Sequence, residues 1–147
     1  MAFIRYVSLR LRNLQGAMFF LDAGGEILVG LDATVRIGHG VRMMRDFTGR
    51  FIGTLTIGDN VFFSRNCFLG AFSQVTIGNA CMFGEGVSIH DENHRTSRTD
   101  IDIADKGFDI APIVIGNNVW VGAKATILQG VRIGDHVERQ LEAIPFR

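Results

Sequence analysis

Residues 90–94 concentrate side chains that can do acid–base chemistry. They are two histidines, two carboxylates and an amide: His90, Asp91, Glu92, Asn93 and His94. The polar stretch 95–114 follows directly, and long loops on rigid scaffolds often carry function. A histidine in such a cluster can act as a general base toward a hydroxyl group. The alternative interpretation is that the cluster only satisfies the backbone of a polar corner, because polar clusters mark functional sites only statistically.

A six-residue repeat indicates the element that positions this cluster. An Ile-Gly pair recurs, and within each block an aliphatic residue returns every six residues, as in Ile115, Val121, Ile127 and Ile133. A short strand followed by a turn fits this period, and three such units would close a triangular coil. Stacked coils would pair as parallel strands around one aliphatic column, and the glycine would permit the turn. The sequence therefore predicts an all-β fold, a parallel β-helix.

The spacing of the Ile-Gly pairs predicts where the coils are irregular. The last two pairs are 18 residues apart, which is one coil, whereas the earlier steps are 20 and predict a two-residue bulge at a corner. The step from Ile77 to Ile115 is 38 residues, which predicts an external loop over residues 95–114.

The two ends of the chain do not follow the repeat. We expect one domain, 1–147, with coils over 25–137 and an N-terminal cap over 1–24 that covers the open first coil. After Val137, apolar residues at helical spacing predict a short capping helix within 138–147.

The middle residue of each strand should point outward. On one side of the predicted helix this aligns Phe62, Met82 and Trp120 in an outward apolar column, next to Arg42. Three large apolar side chains in one exposed column indicate a partner or a ligand. The alternative is a few isolated exposed hydrophobic residues, which are common on protein surfaces.

Composition excludes several classes of function. The chain has 15 basic and 15 acidic residues, and this balance excludes a polyanion binder that works by bulk charge; we expect no nucleic-acid partner. No apolar run approaches the ~20 residues of a membrane span, and we expect a cytoplasmic protein. Cys67 and Cys81 fall at inward positions of the repeat, so we expect both thiols to be reduced and buried.

The loop and the repeats together resemble a known family. The segment Ile89–His94 and the later pattern Ala-Pro-Ile-x-Ile-Gly-x-x-x-Trp-x-Gly, which ends at Gly122, are similar to the hexapeptide-repeat acyltransferases. The maltose/galactoside and polysaccharide O-acetyltransferases are the most similar members, and the resemblance covers about residues 25–137. It implies a left-handed helix, a homotrimer with each active site between neighbours, and transfer from acetyl-CoA to a sugar or other hydroxyl acceptor.

The resemblance also implies roles for individual residues. His94 matches the histidine that deprotonates the acceptor hydroxyl. Trp120 matches the tryptophan beside the CoA arm, and Gly122 and Ala123 match the turn that contacts the pantetheine.

Acceptor contacts are expected from Ser64, Asn66 and Asp91, with Ser64 at a position where the sugar acetyltransferases carry asparagine. This departure leaves the identity of the acceptor open. Family members also continue beyond the position of Val137 with coils that complete the donor site, so we expect weak acetyl-CoA binding.

Two other interpretations compete with this one. γ-Class carbonic anhydrases share the fold and bind a metal through three histidines, but no histidine lies on strands 119–127, so we expect no metal. The chain could also be a catalytically inactive trimer that acts as a scaffold or binding module.

Overall fold

The computed structural model describes residues 14–16, 19–97 and 99–139. Most of the two predicted caps lies outside these residues. Within them the fold is all-β and consists of stacked coils, each with three short strands. The predicted fold class is confirmed.

Three parallel sheets form the sides of the helix, and we call them faces 1, 2 and 3. Face 1 contains β1 (Leu14–Gly16), β4 (Thr34–Ile37), β7 (Thr54–Ile57), β10 (Gln74–Ile77), β15 (Ile113–Ile115) and β18 (Arg132–Ile133). Face 2 contains β2 (Phe20–Leu21), β5 (Arg42–Met43), β8 (Phe62–Phe63), β11 (Met82–Phe83), β16 (Trp120–Val121) and β19 (Glu138–Arg139). Face 3 contains β3 (Glu26–Val29), β6 (Thr48–Phe51), β9 (Phe68–Ala71), β12 (Ser88–His90) and β17 (Thr126–Ile127).

The register of face 1 is the one that the repeat predicts. The isoleucines of the five Ile-Gly pairs lie directly above one another: Ile37, Ile57, Ile77, Ile115 and Ile133. The 20-residue coils carry their extra residues at the corner between faces 3 and 1, where Ile52–Gly53 and Phe72–Ser73 lie between strands. The predicted corner bulge is therefore located.

Inward residues of all three faces form one continuous core. Aliphatic side chains line most of faces 1 and 3. In the interior Phe47 packs edge to face on Phe63 with ring centroids 5.2 Å apart, and Phe63 stacks on Phe83 at 4.7 Å. Burying each such side chain contributes about 1.5–3 kcal/mol. The outward column also forms as predicted, because Met82 is 52% and Trp120 41% exposed while Phe62 is half-buried.

The glycine of each Ile-Gly pair is required by close stacking and not by its own turn. None of these glycines has a positive φ; the left-handed residue lies two positions later, as at Asn60 and Ala80. A Cβ on Gly78 would lie 2.6 Å from the carbonyl oxygen of Gly116 in the next coil. The sequence-based reason for the glycine was wrong, since the next coil and not the turn excludes a side chain.

Asp and Asn side chains run up the same corner as a ladder. In each step a side-chain oxygen accepts the backbone N–H of the corresponding residue one coil below. Asp59 accepts from His39, Asn79 from Asp59, Asn117 from Asn79 and Asp135 from Asn117, at 2.6–2.9 Å. Each bond joins one coil to the next, so the residue after every Ile-Gly pair helps to hold the stack together.

The excursion between coils is a hairpin and not a simple loop. Strands β13 (Glu92–His94) and β14 (Phe108–Ile110) pair antiparallel, and a short 3₁₀ helix covers Ile103–Asp105. The insertion therefore starts before residue 95, and face 1 resumes at Ile113, within the range predicted for the loop. Antiparallel pairing gives the backbone N–H and C=O groups of β13 and β14 hydrogen-bond partners outside the helix.

The coils also extend further than the repeat suggested. Leu14–Gly16 pairs with β4 and Phe20–Leu21 with β5, so the ladder already includes residues before 25. At the other end Glu138–Arg139 is a strand paired with Trp120–Val121, which corrects the predicted helix at these two residues. Residues 140–147 lie outside the described part of the chain.

Replacing Gly78 by alanine tests the close stacking. The new Cβ would press on backbone of the coil above, and overpacking of this kind costs about 1–3 kcal/mol. Gly134→Ala is the matched control, because nothing lies within 4 Å of its Cβ position, and we expect a change within about 0.5 kcal/mol. Urea unfolding measures both; equal stability of the two variants would contradict the requirement for glycine at position 78.

The two cysteines should be unreactive in the folded protein. Burial raises the pKa of the Cys67 and Cys81 thiols, and their S–H groups donate to the carbonyls of Gly84 and Gly116 at 3.2 Å and 3.1 Å. The thiol pKa is higher in the folded than in the unfolded protein, so the buried protonated thiols cost no stability at neutral pH. The free energy of unfolding should fall as the pH rises above the ordinary value of 9.0, where the unfolded thiols lose their protons first. A disulfide reagent at pH 8 should label neither thiol before unfolding and both in urea; rapid labelling of native protein would contradict burial.

Candidate active site

The hairpin holds His94 outside the helix, where it is exposed. His94 pairs with Phe108 across β13 and β14, and its imidazole lies on the Phe108 ring with centroids 4.5 Å apart. Beside it, Arg95 Nε donates to Asp109 Oδ1 at 3.0 Å, which links the two limbs. Ring stacking restricts the imidazole while leaving it open to solvent, so it is available to an incoming hydroxyl.

His90 is held more tightly, on the outer surface of face 3. Its Nε2 lies 2.6 Å from Ser88 Oγ, its Nδ1 lies 3.8 Å from Glu92 Oε1, and its ring stacks on Phe68 at 4.6 Å. These partners follow from strand periodicity, because residues 88 and 90 point to the same side of β12. The two histidines of the cluster therefore differ: His90 is half-buried and engaged, and His94 is exposed.

Asp91 lies between them and points into the protein. It is 0% exposed, and its carboxylate accepts the backbone N–H groups of Phe72, Ser73 and Gln74 at 2.7–2.8 Å. Both oxygens are thus occupied by the backbone of the coil below. The acceptor contact expected of Asp91 stays a prediction, and the structure gives this carboxylate a different set of partners.

The other predicted site residues share a different edge of the helix. Ser64 and Asn66 lie at the corner between faces 2 and 3, and Gly122 and Ala123 lie at the same corner two coils higher. Asn66 takes the left-handed conformation of that turn, with φ 58°. A Cβ on Gly84, in the coil between, would lie 2.6 Å from the Ala123 nitrogen, so this corner is closely packed.

Trp120 lies next to this corner, on the outer surface of face 2. A pocket of about 470 Å³ opens beside it, lined by Ala80, Met82, Asn118, Val119, Trp120, His136 and Glu138. His136 Nδ1 lies 3.0 Å from Asn118 Nδ2. Sequence reasoning missed His136 and Glu138, although the Trp120–Glu138 register is one further step of the same repeat.

The site residues thus form two groups in a single chain. Trp120, Gly122 and Ala123 lie along one edge with Ser64 and Asn66, whereas His94 projects from the corner between faces 3 and 1. The width of face 3 separates the two corners. A single chain does not bring the predicted base and the predicted donor residues into one cleft.

Metal ligands and membrane-spanning helices are the two remaining features that bear on function. Among the residues that the structure describes, no three His, Cys, Asp or Glu side chains lie close enough together to hold a metal ion. Over the same residues no helix has the length and apolar character needed to cross a membrane.

Comparison with known proteins identifies relatives that cover up to 80% of this chain. The chain is 31% identical over 119 residues to a protein named as a probable acetyltransferase of Mycobacterium tuberculosis, covering 80% of this chain and 40% of the relative. It is 31% identical over 100 residues to a galactoside O-acetyltransferase of Lactococcus lactis, covering 67% of this chain and 47% of that protein. The chain thus spans less than half the length of either relative.

A solved structure shares the fold. It is AntD, an N-acyltransferase from Bacillus cereus in complex with dTDP and coenzyme A, with a TM-score of 0.53, 14% identity and coverage of 85% of this chain and 72% of that one. At this identity the likeness concerns the fold alone.

The family model for the bacterial transferase hexapeptide, described as six repeats, matches residues 112–138. This segment carries the last coils and the Trp120 strand, and the same six-residue ladder continues through the earlier coils. Together with the acetyltransferase relatives, this match shows a hexapeptide-repeat chain that is similar to acetyltransferases.

Proposed function

We propose that this protein is an O-acetyltransferase that moves an acetyl group from acetyl-CoA to a hydroxyl acceptor such as a sugar. The observation that carries the proposal is the exposed imidazole of His94, held by a hairpin on a rigid β-helix. The names of the relatives support acetyl transfer in general. The donor, the acceptor and the role of His94 are our inference.

His94 acts as the general base. A ring nitrogen in its neutral form accepts the proton of the acceptor hydroxyl while the hydroxyl oxygen attacks the thioester carbonyl carbon. The carbon–sulfur bond then breaks, and the leaving thiolate takes up a proton. His90 is less suited to this step, because Ser88 and Phe68 already occupy its Nε2 and one ring face.

The donor lies along the edge formed by faces 2 and 3. Trp120 offers an exposed aromatic surface, Met82 extends it one coil below, and the turn of Gly122 and Ala123, where Ala123 is exposed, contacts the pantetheine arm. Ser64 and Asn66 lie lower on the same corner and contact the acceptor. No charged side chain separates Trp120 from Met82 in this column, which suits an uncharged chain such as pantetheine.

The active site is completed between chains. Because His94 and the donor edge lie at different corners of one helix, a second copy must bring its hairpin to the Trp120 edge. A homotrimer around an axis parallel to the helix does this three times, and it covers the apolar column of Phe62, Met82 and Trp120. We place this assembly in the cytoplasm.

The first test is acetyl-CoA turnover against a panel of sugars, with His94→Ala compared to wild type. Loss of the general base should lower kcat by about 10²–10⁴-fold without changing the fold. Release of the CoA thiol gives the rate, and circular dichroism confirms the fold.

His39→Ala is the matched control, because His39 is an exposed histidine at the corner between faces 1 and 2 and lies outside the site. It should retain full activity. Full activity of His94→Ala combined with loss in His90→Ala would mean that the base is His90, and no turnover of any acceptor by wild type would overturn the proposed function.

Sedimentation tests the assembly. The protein should sediment near three times 16.2 kDa, because a trimer removes the apolar column from water. A stable monomer at micromolar concentration would contradict the shared active site.

A further inference from the structure

Asp91 is the only buried charged or polar residue in the part of the chain that the structure describes. Placing a carboxylate in a hydrophobic core is costly unless hydrogen bonds compensate it. A purely apolar residue would fill this inward position in a regular coil, since the residues one and two coils below are Ala71 and Phe51. Packing alone therefore does not explain a carboxylate at this position.

The coil below shows which backbone hydrogen bonds are missing at the level of Asp91. At the corner between faces 3 and 1, the N–H groups of Ile52 and Gly53 donate to the Ala71 carbonyl, and Thr54 donates to Ser73, all at 2.8–2.9 Å. One coil higher the equivalent donors belong to Phe72, Ser73 and Gln74. The chain above them leaves the helix into the hairpin, so a regular coil does not supply the carbonyls.

The Asp91 side chain takes over all three bonds. Oδ1 accepts the N–H of Phe72, and Oδ2 accepts those of Ser73 and Gln74. The backbone carbonyl of Asp91, which would otherwise bond downward as that of Ala71 does, instead accepts the N–H of Ala111 at 3.0 Å. This bond closes the base of the hairpin, next to the Glu92–Ile110 pair.

We propose that Asp91 is the positioning residue of the site: its carboxylate replaces the missing coil above residues 72–74, which frees its carbonyl to fix the hairpin that carries His94. The proposal rests on the proposed role of His94. Asp91 contacts no reacting atom and acts through the direction in which the hairpin leaves the helix. Only a carboxylate at this position has acceptors for all three donors, because an amide of the same shape turns its NH₂ group toward at least one of them.

Asp91→Asn is the test, and Asp109→Asn is the matched control. Asp109 is an exposed carboxylate in the same hairpin, paired with Arg95. We expect Asp91→Asn to lower kcat for acetyl transfer about 10- to 100-fold at a temperature where it is fully folded, with the KM for acetyl-CoA changed less than about threefold. Asp109→Asn should keep kcat within about twofold of wild type. Wild-type kcat in Asp91→Asn, or a loss that matches its unfolded fraction, would overturn the proposal.

Amide hydrogen exchange gives a readout that needs no activity. In Asp91→Asn the NH₂ group faces either the Phe72 amide or the amides of Ser73 and Gln74, because those two share one oxygen of Asp91. The amides that face the NH₂ group, and that of Ala111, should exchange at least about tenfold faster, while those of Gly53 and Thr54 stay protected by backbone carbonyls. Unchanged exchange at residues 72, 73, 74 and 111 would overturn the proposal even if the wild type proved to have no acetyltransferase activity.

The wild-type protein provides a second test if Asp91→Asn does not fold. In dilute urea, the amides of Ser73, Gln74 and Ala111 should open together with the same urea dependence, because one residue ties the corner to the hairpin. Exchange of the Ala111 amide that is about 100-fold faster than that of Ser73 and Gln74 would show that the hairpin opens independently and would overturn the proposal.

Discussion

Parallel hydrogen bonding between successive coils is the interaction on which the rest of this structure depends. It sets neighbouring strands about 4.7–4.9 Å apart on all three faces. At that separation the corner between faces 1 and 2 has no room for a Cβ at Gly78, and the Asp and Asn ladder can span from one coil to the next. Inward apolar side chains of successive coils also pack on one another, which makes the core a column and not a set of separate clusters.

The same interaction limits where the chain can depart from the repeat. An insertion within a strand would break two ladders at once, whereas an insertion at a corner interrupts only the few bonds of that corner. The hairpin leaves at the corner between faces 3 and 1, where the 20-residue coils already carry extra residues. Even there, three N–H groups lose their carbonyl partners, and burying a donor without a partner costs about 1–3 kcal/mol each. The Asp91 carboxylate removes this cost, so the insertion and a buried carboxylate occur together.

Parallel hydrogen bonds on all three faces join each described coil to the next and hold the corners of the helix apart. The hairpin and the Trp120 edge therefore lie at different corners of the same chain. In the proposed function, which uses both groups, a second copy supplies the missing one, and the apolar column of Phe62, Met82 and Trp120 provides a surface for it. In this way the geometry of one coil relates the position of the candidate base to the proposed assembly.

The sequence by itself determined the β-helix, the register of face 1 and the outward column. A short strand and a turn fit the six-residue period, and each Ile-Gly pair marks the end of a strand of face 1. It also determined that Cys67 and Cys81 are buried. His94 was selected from the sequence through its resemblance to a family and not through its spacing, and its role remains a proposal. Only the tertiary structure decided that 92–94 and 108–110 form a hairpin, since nothing in that polar stretch indicates which residues pair. The structure also decided the partners of Asp91, because its three donors belong to a coil 17 to 19 residues earlier and come within reach only when the coils stack.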